Sequence, residues 1–305
     1  MIFENPFKVG LCLSGGAARG MTHLGVLREM EGAGLRPDMV AGASVGALIG
    51  ALYALSLDIE EVERIVLAFL KGEDFSDLRG DILVRERAED ERRGIFRRML
   101  RTFRKSLFYS VSMTQLSYLS VNRLESLLAK MVPDVNIEDS KIPFACVATD
   151  IVNSRPYFLT KGPLRRAIAA TCSIPGFFPP IAWDGVRLVD GSWSMQNPVR
   201  LLREMGADFV VAIDISQDML DAPDPGNGLE VVLRSNMATR ITLSEMELKD
   251  ADYVIRPDMR KMDWWDFKKS AAFIQKGRES AAAGIAELKK GIERARLKKF
   301  LTLKV

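Results

Sequence analysis

Two consecutive stretches near the start of the chain share one plan: a short apolar run, a glycine-rich turn and a segment with helical spacing. The first is KVGLCL at residues 8–13, followed by SGGAARG and MTHLGVLREMEGAG. The second is MVA at residues 39–41, followed by GASVG and an apolar run that ends at Leu57. Two successive strand–turn–helix units predict a parallel sheet with crossover helices, which is an α/β fold.

Later segments continue this alternation. Further buried strands are predicted at residues 143–150, 186–190, 208–216 and 252–257. Helical spacing recurs at residues 121–131, 163–172, 197–205 and 229–248. The chain has 305 residues, of which 48% are hydrophobic and 27% charged, as in ordinary globular proteins. We expect one domain over residues 1–305, with a C-terminal helical region at 267–305.

The GASVG segment has two incompatible interpretations. Residues 39–57 carry no charge, and Gly42, Gly46 and Gly50 recur at four-residue spacing, as in a membrane helix with a packing face. Alternatively, Gly42-x-Ser44-x-Gly46 is a strand-to-helix turn that presents a serine nucleophile. The run is rich in small residues and lies between segments that fit one sheet, which favours the turn.

A hydrolytic serine needs a proton acceptor, most often a histidine. His23, the single histidine of the sequence, lies among apolar residues of the first predicted helix, which is typical of a packed residue rather than a base. Asp190 is the better candidate, because it ends an apolar strand, precedes Gly191 and is expected at the carboxyl edge of the sheet. The alternative is a plain turn residue, since Asp-Gly pairs are common in turns.

The GGAARG segment at residues 15–20 is the third candidate element. It lacks the Gly-Lys-Ser/Thr ending of a phosphate-binding loop and the second spaced glycine of a dinucleotide fingerprint. Small residues before a helix leave the amides of Gly15, Gly16 and Ala17 free to bind an anion, and in acyl transfer this anion is the tetrahedral oxyanion. The alternative is a tight strand–helix connection without chemistry.

Composition excludes several other function classes. A net charge of +3 is too small to indicate a nucleic-acid partner. Cys12, Cys146 and Cys172 have neither disulfide-framework nor metal-ligand spacing, so three reduced thiols are expected. The first residues lack the features of a signal peptide, which predicts a cytoplasmic location.

One basic segment suggests contact with a membrane. Residues 92–105, RRGIFRRMLRTFRK, carry seven basic and no acidic residues, with the apolar side chains on one helical face. Such a helix can lie on an anionic bilayer surface at the inner face of the membrane, or it can dock on the core with a solvated basic face. Residues 75–118 are expected to be an insertion, either a lid or an interface segment.

Together these motifs resemble the patatin-like phospholipase family. GGAARG is similar to its oxyanion loop, GASVG to its nucleophile turn and DGS at residues 190–192 to its Asp-Gly-Gly/Ala motif, in the same order. ATD at 148–150, TCSIPGFFPPI at 171–181, QNPV at 196–199 and KSAAFIQKGRESAAAGIAELKK at 269–290 extend the resemblance over most of residues 7–290.

The resemblance implies a three-layer α/β/α sandwich with a mostly parallel central sheet and a serine–aspartate dyad that cleaves lipid esters without metal or nucleotide. Ser44 would be the nucleophile, Asp190 the base, and Gly15, Gly16 and Ala17 the oxyanion donors. The motif glycines would be Gly20, Gly42, Gly46 and Gly191. We expect a cytoplasmic hydrolase of phospholipids or lysophospholipids that works through an acyl-enzyme; the alternative is a catalytically weak regulatory or scaffolding protein with this fold.

Two positions depart from the family pattern. Ala17 replaces a glycine in the loop, a change that its backbone amide can survive. Ser192 stands where glycine or alanine is usual, in the turn that follows Asp190.

Overall fold

A sheet of eight strands forms the centre of the described part of the chain, which comprises residues 7–76, 117, 119–216, 224–260, 262–263 and 265–302 of a computed structural model. The strands are β1 (Val9–Leu13), β2 (Met39–Ala43), β3 (Phe144–Asp150), β4 (Arg155–Leu159), β5 (Ile181–Trp183), β6 (Val186–Asp190), β7 (Phe209–Ile213) and β8 (Tyr253–Ile255). Strands β3, β2, β1, β7 and β8 pair in parallel in that order.

Helices cover both faces of this sheet. They are α1 (Met21–Gly32), α2 (Val45–Ser56), α3 (Ile59–Lys71), α4 (Val121–Leu128), α5 (Leu164–Thr171), α6 (Val199–Glu204), α7 (Gly228–Glu247) and α8 (Ser270–Thr302). Alternate residues of a strand point to opposite faces. Leu11 and Leu13 of β1 therefore join the core formed with α1, α2 and α8, whereas Cys12 joins a second core formed with α6. The predicted three-layer α/β/α architecture with a mostly parallel sheet is confirmed.

Strand β3 has an unusual set of partners. Residues 146–147 pair with both β2 and β4, and residues 148–150 pair with both β4 and β6. Since a strand has two edges, β4 occupies one edge of β3, and β2 and β6 share the other. Because β2 is parallel to β3 and β6 is antiparallel, β2 and β6 run toward each other and their carboxyl ends meet.

Three elements are absent from the prediction: α3, β4 and β5. Helix α3 begins at a capping residue, because the Asp58 carboxylate accepts hydrogen bonds from the amides of Glu60 and Glu61. Strands β5 and β6 form a hairpin whose turn residues Asp184 and Gly185 both have positive φ, at 41° and 83°. Asp-Gly between apolar runs is a recognised hairpin signal, so the sequence did contain the information for β5.

The apolar run at residues 39–57 is divided between a strand and a short helix. Strand β2 ends at Ala43, and α2 has 12 residues. Within the described residues, every helix is too short or too polar to cross a bilayer. The interpretation of this run as a membrane helix is therefore wrong. The basic segment 92–105 and most of the expected insertion 75–118 lie outside the described residues, so contact with a membrane stays a prediction.

Candidate active site

Ser44 lies at the sharp turn between β2 and α2. Its backbone has φ 51° and ψ −127°, a strained conformation for a residue with a side chain. The glycines on either side allow this turn: a Cβ on Gly42 would lie 2.5 Å from the amide nitrogen of Ala47, and a Cβ on Gly46 would lie 2.3 Å from the carbonyl oxygen of Leu13. Strand β2 and helix α2 can therefore pack closely, with the Ser44 hydroxyl at the turn between them.

The Ser44 hydroxyl meets the Asp190 carboxylate directly. Ser44 Oγ donates a hydrogen bond of 2.6 Å to Asp190 Oδ2, and the two residues are 8% and 3% exposed. The other carboxylate oxygen, Asp190 Oδ1, accepts a 2.9 Å hydrogen bond from the amide of Ser192. Both oxygens of this buried carboxylate therefore have a protein donor.

The meeting of β2 and β6 explains this contact. Ala43, the last residue of β2, pairs with Val147, and Asp190, the last residue of β6, pairs with Ala148. Ser44 and Asp190 are thus neighbours along one edge of β3, although 146 residues separate them. As expected, Asp190 ends a strand and lies where the parallel strand β2 ends, but β6 itself runs antiparallel to β3.

Thr171 completes the junction and was missed in the sequence. Its hydroxyl accepts a 2.9 Å hydrogen bond from the amide of Ser44 and donates to the carbonyl oxygen of Val147. Gly191 is needed at the same place, since a Cβ there would lie 2.0 Å from that carbonyl oxygen. Thr171 ends α5, which packs against β3 and β6, so no local pattern around Ser44 indicates its role.

Burial dominates the electrostatics of Asp190. It raises the pKa of the carboxyl above its ordinary value, and the hydrogen bonds from Ser44 and from the Ser192 amide oppose the rise, as does the charge of Arg240. The pKa remains raised. A carboxylate in this environment is a stronger base than one in water.

The glycine-rich loop lies against the same junction. A Cβ on Gly15 would be 3.3 Å from Ser44 Cβ, and a Cβ on Gly20 would be 2.4 Å from a Val45 methyl group. Within the described residues, the amides of Gly15, Gly16 and Ala17 donate to no protein acceptor. These donors beside Ser44 can stabilise a negatively charged oxygen.

Arg240 on α7 contacts the turn after Asp190 and, through Gln196, the glycine-rich loop. Its guanidinium donates to the carbonyl oxygen of Ser192 at 2.9 Å and to Gln196 Oε1 at 3.0 Å, and it lies over the Trp193 ring. Gln196 Nε2 in turn donates a 2.6 Å hydrogen bond to the carbonyl oxygen of Gly15. These contacts connect α7 to the loop and to the turn after Asp190. They join residues far apart in the chain, and they were not predicted from the sequence.

His23 is packed, as its sequence context predicts. It is fully buried, and its Nε2 lies 2.8 Å from the carbonyl oxygen of Ser14, just before the loop. Burial lowers the pKa of His23 to about 4, and the hydrogen bond to Ser14 opposes the change. The neutral imidazole therefore donates to Ser14 through Nε2, and within the described residues no hydrogen bond joins it to Ser44.

The three cysteines are free thiols, and burial raises the pKa of each. Among the described residues, no group of three His, Cys, Asp or Glu side chains has the arrangement of a metal site.

Comparisons with known proteins agree with this architecture. The model of the family "Patatin-like phospholipase" matches residues 11–203. A protein of Caenorhabditis elegans described as a putative patatin-like phospholipase domain-containing protein is 31% identical over 210 residues, which cover 68% of this chain and 17% of that protein. A lysophospholipase of Mycosarcoma maydis is 33% identical over 208 residues, or 68% of this chain and 10% of that protein. This chain therefore spans only a small part of these relatives.

Two solved structures align with most of this chain at low sequence identity. The crystal structure of VipD from Legionella pneumophila has a TM-score of 0.47 at 13% identity, over 95% of this chain and 67% of that one. Human GIVD cytosolic phospholipase A2, in complex with methyl gamma-linolenyl fluorophosphonate, has a TM-score of 0.48 at 13% identity, over 95% of this chain and 59% of that one. On the family match over residues 11–203, this chain belongs to the patatin-like phospholipase family.

Proposed function

We propose that this protein hydrolyses carboxylic ester bonds of phospholipids or lysophospholipids, with Ser44 as nucleophile and Asp190 as base. One observation carries the proposal: a 2.6 Å hydrogen bond joins the two side chains at a buried junction, beside amides without a protein acceptor. Family membership and the name lysophospholipase of a relative support a lipid ester as substrate.

The geometry suggests the following reaction. Ser44 Oγ forms a bond to the ester carbonyl carbon while its proton moves to Asp190 Oδ2. The carbonyl electron pair moves onto oxygen, and the amides of Gly15, Gly16 and Ala17 bind the oxyanion. The tetrahedral intermediate then expels the alcohol, which takes the proton from Asp190, and an acyl-enzyme remains. Water then attacks the acyl carbon and gives a proton to Asp190. The bond to Ser44 Oγ breaks, Asp190 returns the proton to Ser44 Oγ, and the fatty acid leaves.

Asp190 can serve as the base because of its burial. In water a carboxylate is too weak a base to accept a serine proton efficiently. Here burial raises the pKa of Asp190, and the 2.6 Å hydrogen bond holds the proton on the path of transfer. His23 does not compete for this role, since burial lowers its pKa to about 4 and, within the described residues, its hydrogen bond goes to Ser14 rather than to Ser44.

A fluorophosphonate probe with an alkyl chain tests this proposal directly. We expect the wild type to be labelled on Ser44, with Ser44 Oγ bonded to phosphorus and fluoride released. We expect Ser44→Ala to be unlabelled and Ser56→Ala, at the far end of α2, to be labelled normally. Asp190→Asn should slow labelling and lysophospholipid hydrolysis by about 10²- to 10⁴-fold, the usual contribution of a general base.

Two results would contradict the proposal. Labelling that persists in Ser44→Ala would show that the nucleophile is another residue. A folded wild type that neither reacts with the probe nor releases fatty acid from lysophospholipid would favour the regulatory or scaffolding role instead.

A further inference from the structure

The hydroxyl of Ser192 is a buried polar group without a partner. Ser192 is 5% exposed, and within the described residues its Oγ makes no hydrogen bond. Leaving a buried hydroxyl unpaired costs about 1–3 kcal/mol, so such groups in folded proteins need an explanation. Position 192 is also where the chain departs from the Asp-Gly-Gly/Ala pattern, and neither glycine nor alanine would bring a hydroxyl there.

The position of this hydroxyl suggests what it does. A Cβ built on Gly15 would lie 2.0 Å from Ser192 Oγ and 3.3 Å from Ser44 Cβ. The Ser192 hydroxyl and the Ser44 side chain therefore lie on the same side of Gly15, and the hydroxyl fills the space that any other residue at position 15 would need. An oxyanion that forms at Ser44 and binds the Gly15 amide would therefore lie near this hydroxyl.

We propose that the Ser192 hydroxyl is a further catalytic group of this protein, a side-chain donor that hydrogen-bonds the oxyanion formed when Ser44 attacks an ester. No proton is transferred in this step: the hydroxyl keeps its proton, and its hydrogen bond strengthens as charge develops on the substrate oxygen. The inference rests on the proposed hydrolase function and adds a donor to the three loop amides. Within the described residues the hydroxyl has no partner at ordinary hydrogen-bond geometry, and the substrate oxyanion would supply one.

A competing role is assistance to Asp190. Burial raises the pKa of Asp190, and the Ser192 side chain is one of the groups that oppose this rise. Each carboxylate oxygen can accept two hydrogen bonds, so the bonds that Asp190 accepts from Ser44 Oγ and from the Ser192 amide leave room for this role, and kinetics must separate the two. The two roles predict different kinetics. Loss of an oxyanion donor lowers the rate at every pH. Loss of a group that stabilises the Asp190 carboxylate raises the pKa of Asp190 and moves the acid limb of the pH–rate profile to higher pH.

The variant Ser192→Ala tests the proposal, because alanine removes only the hydroxyl. We expect kcat on a p-nitrophenyl ester and on a lysophospholipid to fall by roughly 10- to 100-fold, with little change in KM, because the donor acts mainly in the transition state. The rate of labelling by the alkyl fluorophosphonate should fall in parallel, since its phosphoryl oxygen takes the place of the oxyanion. The acid limb should stay where it is in the wild type.

Ser194→Ala is the matched control. Ser194 belongs to the same turn, but its hydroxyl is paired with Thr149 Oγ1 at 2.8 Å, and we expect wild-type kcat and labelling. The melting temperature of Ser192→Ala should equal or exceed that of the wild type, because no hydrogen bond is lost, so reduced activity could not be attributed to misfolding.

Three results would overturn the inference: wild-type kcat in Ser192→Ala, a change confined to KM, or a shifted acid limb with an unchanged plateau rate. In each of these cases the wild type turns over and is labelled, so the proposed function stands. A wild type without turnover or labelling would overturn both.

Discussion

Ala17 is the residue at which the loop departs from glycine, and its backbone explains why glycine is usual there. Its φ is 47°, in the left-handed region. This region costs a residue with a Cβ about 1–2 kcal/mol, whereas glycine adopts it freely. The loop nevertheless keeps this conformation, because Arg19 donates to the carbonyl oxygen of Met262 and the Arg19 amide bonds to Gly16. Ala17 thus stores strain beside the site.

We expect Ala17→Gly to stabilise the protein by up to about 1 kcal/mol, because relief of the positive φ outweighs the extra entropy of glycine in the unfolded chain. Activity should stay within a few-fold of wild type, since the amide is retained. Urea unfolding of the variant measures the change. Ala18→Gly is the control: Ala18 is fully buried and is not among the residues with positive φ, so the same substitution should destabilise by about 1 kcal/mol. Equal destabilisation in both variants would rule out strain at Ala17.

At the scale of elements, the site depends on parts of the chain beyond its own motifs. Helix α7 lies after the segment that the family model matches, yet its Arg240 contacts the turn after Asp190 and, through Gln196, the carbonyl of Gly15. Burial lowers the pKa of Arg240, and the Asp190 charge opposes this change. Family motifs therefore contain the groups that we propose to react, whereas α7 contributes contacts that hold these motifs in place.

Helices α1 and α8 pack closely against each other. A Cβ on Gly277 of α8 would lie 2.1 Å from the carbonyl oxygen of Thr22, and a Cβ on Gly25 of α1 would lie 2.0 Å from that of Ile274. The two backbones can approach this closely only because both positions are glycine. Helix α1 begins directly after the glycine-rich loop, so this contact also supports the loop.

The variants Gly277→Ala and Gly291→Ala separate this packing from helix propensity, because both sites are on α8. We expect Gly277→Ala to lower the free energy of unfolding by about 1–3 kcal/mol, as the new methyl group meets the backbone of α1. Gly291→Ala should raise it by roughly 0.5–1 kcal/mol, since its Cβ would lie an ordinary 3.4 Å from Phe209 and alanine favours helix. Thermal or urea unfolding measures both. An unchanged free energy of unfolding in Gly277→Ala would show that α1 and α8 lie further apart than in this structure.

At the scale of the whole molecule, the buried carboxylate that we propose as the base, Asp190, reduces stability near neutral pH. The pKa of Asp190 is raised by burial above its unfolded value of 3.8. A carboxyl with a raised folded pKa contributes its full stability below the unfolded pKa and loses that contribution as the pH rises through the folded pKa. Near neutral pH the charged form of Asp190 therefore disfavours the folded state.

We expect Asp190→Asn to unfold at a higher denaturant concentration than the wild type at pH 7, with a difference that shrinks as the pH falls toward 4. Asp150→Asn is a control of opposite sign. The pKa of Asp150 is lowered, chiefly by a hydrogen bond from the Asn153 side chain, so this variant should be less stable than the wild type at pH 7 and approach it at low pH. A difference for Asp190→Asn that does not change with pH would refute this account.

Features that depend on neighbouring residues could be predicted from the sequence, whereas contacts between residues far apart in the chain could not. The two strand–turn–helix units, the strained serine turn and the glycine-rich loop depend on residues within a few positions of one another, and glycine and apolar spacing encode them directly. Thr171 and Gln196 contact Ser44 and Gly15 across 127 and 181 residues, so no local pattern could reveal them. The hairpin of β5 and β6 was encoded locally by Asp184 and Gly185, and it was overlooked.

By itself the sequence determined the order of most strands and helices, the turn at Ser44, and the family, because turn chemistry and hydrophobic periodicity are local properties of the chain. Only the tertiary structure decided that β6 runs antiparallel and meets β2 end to end on one edge of β3. Strand direction depends on pairing between distant segments, which a linear pattern does not record. That pairing brings Ser44 to Asp190, and it leaves the Ser192 hydroxyl buried beside Gly15 without an acceptor in the described structure.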